Sequence, residues 1–389
     1  PLQTGTYYVD VAYGRQETPT AANGRALRTI PFTLTLSLFR ESETANLVPG
    51  RVIRGTIDPR RHGPVRTYAL DVPAGSPALR IDLLSDAADL DLRLRRGAPM
   101  VCNADAEHRS AGVVGCETIV LTPEDGEDAI PAGRYYIDVV DPAWLSWPSP
   151  FRLLARLATA PPERLLALPE LRASDDPLER AVQSTVELIY SEAGGSGVLI
   201  SPAGHILTNQ HVVEAIALGG ENAAEPLLVA VTTDPHRPPV VRFTARVLAS
   251  DPDLDLALLQ IEADIYGRPL PEGYRFPTAA LGRPETMRLA DGLLALGYPN
   301  AGGLGTRVSI TASRGILSGF ERRGQQVHFK TDAEINAGNS GGPVLDERFE
   351  VIGIATETIS DDGGNGQIGY VRPLWLVPEA WWRRAGVDR

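Results

Sequence analysis

Apolar and polar positions alternate through much of the first 160 residues. The runs Gly5-Thr6-Tyr7-Tyr8-Val9-Asp10-Val11 and Pro31-Phe32-Thr33-Leu34-Thr35-Leu36 have the period of two expected of half-buried strands. The first run recurs as Gly133-Arg134-Tyr135-Tyr136-Ile137-Asp138-Val139, and Pro150-Phe151-Arg152-Leu153-Leu154 comes after it as a second strand. The repeat predicts the closing hairpins of two related β-domains. Only the second copy has a front half, in Val52–Ile57, Thr67–Val72, Leu79–Leu83 and Leu90–Leu94. Residues 1–40 are therefore read as a partial repeat, and 41–159 as a complete β-domain.

The pattern breaks at Ala160-Pro161-Pro162, and Pro169 and Pro177 interrupt the next stretch. Residues 160–177 thus read as a linker, with a short amphipathic helix open at 163–168. From Leu178 the chain returns to short strands. A helix running into a strand is expected over Leu178–Ile189. Further strands are expected at Gly195–Ile200, Gly204–Thr208, Leu227–Thr232, Phe243–Leu248 and Leu256–Ile261. After a proline-rich crossover over Pro269–Pro284, a second set is expected at Leu293–Leu296, Val308–Ile310, Gly315–Leu317, Val327–Thr331, Val351–Ile354 and Ile368–Val371. Two groups of about six short strands predict two small closed barrels, so residues 178–389 form one domain and the chain is all-β.

Composition narrows the functional classes. The net charge of −12 argues against nucleic acid or an anionic membrane surface as partner, and no apolar run is long enough for a membrane span. The basic residues are arginines apart from Lys330, which reads as compositional bias. Cys102 and Cys116 leave two states open. In an exported protein they would close a loop worth about 3 kcal/mol, and in the cytosol they would stay reduced. Asp86, Asp89 and Asp91 cluster at a turn, but the grammar of a calcium loop is absent, so they read as outward-facing acids and no metal is expected.

Chemistry concentrates in Gly338-Asn339-Ser340-Gly341-Gly342-Pro343. A serine between glycines can stand on a tight turn, where backbone N–H groups approach a bound carbonyl. Such a nucleophile needs a base and an orienting acid. His211 closes the strand-like run Ile206-Leu207-Thr208-Asn209-Gln210, and an imidazole suits proton transfer near neutral pH. The other histidines, His62, His108, His205, His236 and His328, lack such a setting. Asp255 opens the apolar run Leu256–Ile261, where a partly buried carboxylate needs a partner such as an imidazole N–H. Asp251 and Asp253 read as turn residues, with Asp253 the one substitute for Asp255.

These stretches carry two resemblances. "YALDVPAG", "LRIDL", "ADLDLRL" and "AGRYYIDV", over roughly 45–157, resemble the bacterial pre-peptidase C-terminal domain, a small β-sandwich carried by many secreted peptidases. "GSGVLISPAGHILTNQHVV", "DLALLQI", "DGLLALGYP" and "TDAEINAGNSGGP", over roughly 178–378, resemble the HtrA/Deg-type trypsin-like serine proteases. The second resemblance implies a chymotrypsin-like double β-barrel behind the β-sandwich. It implies a serine endopeptidase with His211, Asp255 and Ser340 as catalytic triad and Gly338, Asn339 and Ser340 at the oxyanion hole, where Asn339 shapes the turn between two donors. Glu334, Ile335, Thr356 and Tyr370 would line the substrate pocket, with a small aliphatic P1 residue favoured over a basic one unless Glu334 points in. It implies no cofactor, protein or peptide substrates, and a bacterial periplasmic or extracellular location.

The sequence departs from relatives in three ways. Asn339 stands where digestive trypsin-like enzymes carry an aspartate, which predicts no zymogen cleavage at the barrel N-terminus. The chain ends 49 residues past Ser340, so the PDZ domain of many HtrA/Deg enzymes is not expected. The gap between His211 and Asp255 is long, and the extra residues are assigned to a polar loop over Leu218–Pro239. An inert protease-fold binding protein and a cytosolic regulatory protease are the competing readings.

Overall fold

The computed structural model describes residues 44–100, 105–112, 114–142, 148–190, 193–214, 226–299, 308–324, 326–360 and 367–388. The partial repeat assigned to residues 1–40 and the pairing of Cys102 with Cys116 lie outside the described residues.

The first domain is a two-sheet sandwich. Its strands are β1 (Ala45–Asn46), β2 (Ile53–Ile57), β3 (Val65–Val72), β4 (Leu79–Leu84), β5 (Asp91–Arg96), β6 (His108–Ser110), β7 (Cys116–Leu121), β8 (Gly133–Val140) and β9 (Ser149–Arg156). They pair as β1-β3-β8-β5-β6 and β2-β9-β4-β7. Side chains from both sheets, among them Leu70, Ile81, Leu92, Ile137 and Leu153, fill the core. Tyr68 on β3 meets Phe151 on β9 edge to face, with ring centroids 6.3 Å apart. Gly55 leaves room for that ring, since a Cβ there would come within 2.3 Å of Phe151.

The strands expected over residues 52–154 form, and β1, β6 and β7 join them. β7 hides its pattern because Glu117 occupies one of its buried positions.

The helix α1 (Pro177–Ser184) opens the second domain, and its Asp176 N-cap accepts the Glu179 N–H at 2.9 Å. It runs into β10 (Thr185–Tyr190), as the sequence predicts. With β11 (Ala193–Leu199), β12 (His205–Thr208), β13 (Leu227–Val231), β14 (Val240–Asp251) and β15 (Leu256–Asp264), it closes a barrel ordered β10-β11-β12-β15-β14-β13. A second closed barrel, β16-β17-β18-β21-β20-β19, comprises β16 (Gly292–Gly297), β17 (Thr311–Arg323), β18 (Gln326–Thr331), β19 (Pro343–Leu345), β20 (Val351–Ser360) and β21 (Gln367–Pro373). Each barrel has its own apolar core. A third cluster seals the seam between them, where Leu207, Leu258, Leu296 and Ile354 meet Trp381 and Trp382 of the last helix, α2 (Glu379–Ala385). The strand expected at Val308–Ile310 begins at Thr311 instead and continues as a single long ribbon through Arg323.

The segment between the domains is pinned rather than loose, and residues 163–168 are not helical. Leu165 is buried with Leu84 and Leu154 of the sandwich, and Arg164 Nε binds the buried Asp264 carboxylate of barrel 1 at 2.8 Å. Val114 packs with Ile189, Ala230 and Val241 of the same barrel. The outer face of β2-β9-β4-β7 is thus partly covered, and Arg242 Nη1 on β14 reaches Asp86 at 2.6 Å across the junction.

Candidate active site

Asp255 contacts His211 directly and is linked to Ser340 through Thr356, at the seam of the two barrels. His211 begins a 3-10 turn just after β12, and Asp255 precedes β15, which pairs with β12. That pairing brings both ends to one place. Asp251 Oδ1 accepts the N–H groups of Asp253 and Leu254 at 2.9 and 3.0 Å, shaping the tight turn that delivers Asp255. Asp255 itself has φ 52°, a left-handed conformation that a short polar side chain tolerates. Asn209 Nδ2 holds the Asp255 carbonyl at 2.9 Å. The carboxylate facing His211 is that of Asp255, while Asp253 is exposed.

Asp255 Oδ1 lies 2.9 Å from His211 Nδ1 and also accepts the His211 backbone N–H at 3.2 Å. Its Oδ2 accepts the Thr356 hydroxyl, and the Arg372 guanidinium stands 3.7 Å away. Burial pushes the Asp255 carboxyl up, but the hydrogen bonds from His211 and Thr356 outweigh it and hold the group below the ordinary carboxylate value. The carboxylate is therefore charged and fixes the imidazole with Nδ1 as donor.

The serine turn is a type II β-turn. Asn339 N–H donates to the Asn336 carbonyl at 2.9 Å, Gly338 has φ 94°, and Ala337 is not among the residues of positive φ. Ser196, on β11 of the other barrel, clamps this turn. Its hydroxyl donates to the Gly338 carbonyl at 2.7 Å, and its N–H donates to the Ser340 carbonyl at 2.8 Å. The Tyr298 N–H donates to the same hydroxyl at 2.9 Å, and Thr208 holds the Ser196 carbonyl at 2.7 Å. Gly341 and Gly342 fit where no other residue does, since a Cβ on either would lie 2.1 Å from a backbone oxygen. Ser340 Oγ donates to the Thr356 carbonyl at 2.6 Å in this arrangement.

Asn339 is buried, with its side chain against Gly297 and its N–H committed to the turn. Glu334 is exposed; its carboxylate accepts Asn336 Nδ2 at 3.0 Å and its N–H donates to Ser313 Oγ at 2.8 Å. Ile335 sits in the core of barrel 2 beneath Gly369. Thr356 turns its hydroxyl to Asp255, and Tyr370 donates its hydroxyl to Glu321 at 2.9 Å. No cluster of metal-ligating side chains occurs among the described residues, and Asp86 is engaged by Arg242.

Sequence reasoning missed Ser196 as a positioning residue. The run Gly195-Ser196-Gly197 carried the signal, because small residues flanking a buried serine permit close approach of two backbones.

Residues 195–354 match the family model of the trypsin-like peptidase domain. The chain is 35% identical over 189 residues to the periplasmic serine endoprotease DegP of Salmonella typhimurium, covering 47% of this chain and 34% of DegP. It is 36% identical over 188 residues to the putative serine protease HhoA of Synechocystis, covering 46% of this chain and 40% of HhoA. A probable periplasmic DegP-like endoprotease of Chlamydia trachomatis is 29% identical over 221 residues, 55% of this chain and 36% of that protein. The chain thus spans little more than a third of the length of these relatives. Residues 195–354, carried on the two barrels, are similar to a trypsin-like peptidase domain, and the relatives that share this stretch are DegP- and HhoA-type serine proteases.

Proposed function

We propose that the chain is a serine endopeptidase that hydrolyses peptide bonds of protein substrates through Ser340, His211 and Asp255. The observation that carries the reading is the 2.9 Å contact between His211 Nδ1 and a charged Asp255 beside the clamped Ser340 turn. In the mechanism, the Ser340 hydroxyl rotates off the Thr356 carbonyl toward His211 Nε2 and attacks the substrate carbonyl carbon as the imidazole takes its proton. Asp255 holds the tautomer and stabilises the imidazolium. The Gly338 and Ser340 N–H groups receive the developing oxyanion, each donor being worth about 3–4 kcal/mol by analogy with other hydrolases. The protonated imidazole then delivers its proton to the leaving amine, and water resolves the acyl-enzyme by the same route.

Several features support the finer points. Asn339 keeps its N–H in the turn, so its role is to shape the hole. Glu334 is exposed and hydrogen-bonded to Asn336, which favours a small aliphatic P1 residue over a basic one. The periplasmic designation of DegP and its relatives supports a periplasmic or extracellular site of action. The sandwich, tied to barrel 1 by Arg242 and Asp86, serves as an accessory docking module that travels with the catalytic domain.

The test is covalent labelling with a fluorophosphonate probe alongside casein hydrolysis. Both are expected in the wild type and absent in Ser340→Ala. A wild-type protein that neither labels nor cleaves leaves the inert binding-protein reading in its place.

A further inference from the structure

A second site lies away from the triad, at the junction of the sandwich with barrel 1. A cleft of about 980 Å³ opens there between β2 and β9, the 84–89 turn and the β13–β14 connection. Arg54, Arg152 and Arg237 line it, together with Thr56 and Thr233.

Arg54 and Arg152 are directly opposite each other on adjacent antiparallel strands. Like charges in that register repel, because Cβ atoms of such a pair are only about 5 Å apart. Among the described residues neither guanidinium has an ion-pair partner within 4.0 Å. Three acids, Asp86, Asp89 and Asp234, also line the cleft, and none of them lies within ion-pair distance of Arg54 or Arg152. Asp86 takes both Arg242 Nη1 and Nη2, and Asp234 lies 3.5 Å from Arg237 and 3.8 Å from His236. Asp89 is buried and lies close enough to Glu117 inside the sandwich to raise its pKa. Burial, then the charge of Arg54, push the Arg152 guanidinium below its ordinary value, against the opposing charge of Asp86.

The same sheet face shows that this concentration of positive charge is local. Directly paired residues share a face, so Arg54, Arg152, Leu84 and Cys116 all point toward barrel 1. At the Leu84 and Cys116 end the face is closed by Leu165, Leu166, Ile265 and Tyr266. At the Arg54 and Arg152 end it is left as an open cleft.

We propose that this cleft binds an oxyanion group, a phosphate or a carboxylate of a small ligand, between Arg54 and Arg152. Both groups are planar acceptors or near-planar edges that the guanidinium fork matches with two parallel hydrogen bonds. An anion there turns a repulsive cross-strand pair into a two-pronged clamp. Thr233 on the barrel side brings the occupant into contact with both domains. None of the triad residues lines the cleft, so the proposal stands independently of the peptidase reading.

Isothermal titration with inorganic phosphate and, in a separate arm, with citrate tests it, at ionic strength held constant with sodium chloride. Saturable binding is expected in at least one arm, and the arm that binds identifies the source of the oxyanion. Arg152→Ala and Arg54→Ala should each weaken it at least tenfold, and Arg152→Lys should weaken it less. Arg51→Ala, exposed and outside the cleft, should leave it unchanged, as should Ser340→Ala. Relief of repulsion should keep the melting temperature of ligand-free Arg152→Ala at or above that of the wild type, which separates lost binding from lost folding. No saturable binding in either arm, or equal weakening in Arg51→Ala, overturns the proposal.

Discussion

The Ser340 hydroxyl donates to the Thr356 carbonyl at 2.6 Å, while the Thr356 hydroxyl donates to Asp255. One residue of β20 thus holds two members of the proposed triad by opposite ends of its own polar groups. Thr356→Val keeps the carbonyl and the shape but removes the donor to Asp255. A hydrogen bond to a charged group is worth about 1.5–3 kcal/mol, so kcat on a peptide substrate should fall roughly 10- to 100-fold with KM little changed. Unchanged kcat would show that His211 alone orients Asp255.

Ser196 is expected to matter as much as a triad neighbour, although it touches no substrate. Ser196→Ala leaves the Tyr298 N–H without its acceptor and unclamps Gly338. The cost should be about 1–3 kcal/mol in stability. The rate of fluorophosphonate labelling should drop at least tenfold at a temperature where the variant is still folded. Melting curves together with labelling rates check this, and a stable variant that labels normally would refute the clamp.

Two glycines of similar φ should respond very differently to alanine. Gly341 has φ 85° and its added Cβ would lie 2.1 Å from the Ser196 carbonyl oxygen. Gly267 has φ 75° and nothing within 4 Å of the added atom. Gly267→Ala should therefore cost only the left-handed penalty of about 1–2 kcal/mol. Gly341→Ala adds a backbone clash and should cost more than about 4 kcal/mol. Denaturant midpoints of the two variants provide the comparison.

Glu117 predicts a pH dependence of the sandwich. Burial pushes its carboxyl up to about 7, despite hydrogen bonds from Ser110 and Gly112 that lower it, and the charges of Asp89 and Asp91 add to the rise. Because the folded value lies above the unfolded one, the folded state binds the extra proton. Its contribution to stability is complete below the ordinary carboxylate value of about 4.5 and is lost as pH rises through about 7. Glu117→Gln, which is neutral throughout, should gain stability relative to wild type between pH 5 and 7.5, by an amount on the order of 1–3 kcal/mol. Parallel denaturation at the two pH values measures it, and a pH-independent difference would exclude the linkage.

Arg164→Ala should loosen the segment between the domains. Asp264 is almost fully buried and keeps the N–H groups of Tyr266 and Arg268, but it loses its cation. The expected cost is about 3 kcal/mol, with faster proteolytic nicking within residues 158–176. Resistance equal to wild type would mean that Leu165 alone anchors the segment.

The strands that could be read from sequence are those whose side chains alternate between a buried and a more exposed face, such as β2 and β5. β7 was not readable, because it carries Glu117 inward and Cys116 toward the other domain. The pinned character of residues 160–177 was hidden as well. Prolines signal the loss of regular structure, but they do not show where Arg164 and Leu165 find partners.

By itself the sequence determined the all-β class, two groups of short strands and the order of His211, Asp255 and Ser340, since these rest on local period and local turn chemistry. It split β17 into two strands and left β19 out of the second group. Only tertiary structure decided what holds the site. Ser196 and Gly338 are 142 residues apart, Asp255 and Thr356 are 101 apart, and Arg242 and Asp86 are 156 apart. A hydrogen-bond donor carries no mark of its acceptor in the sequence, and closure of the barrels is what brings each pair within reach.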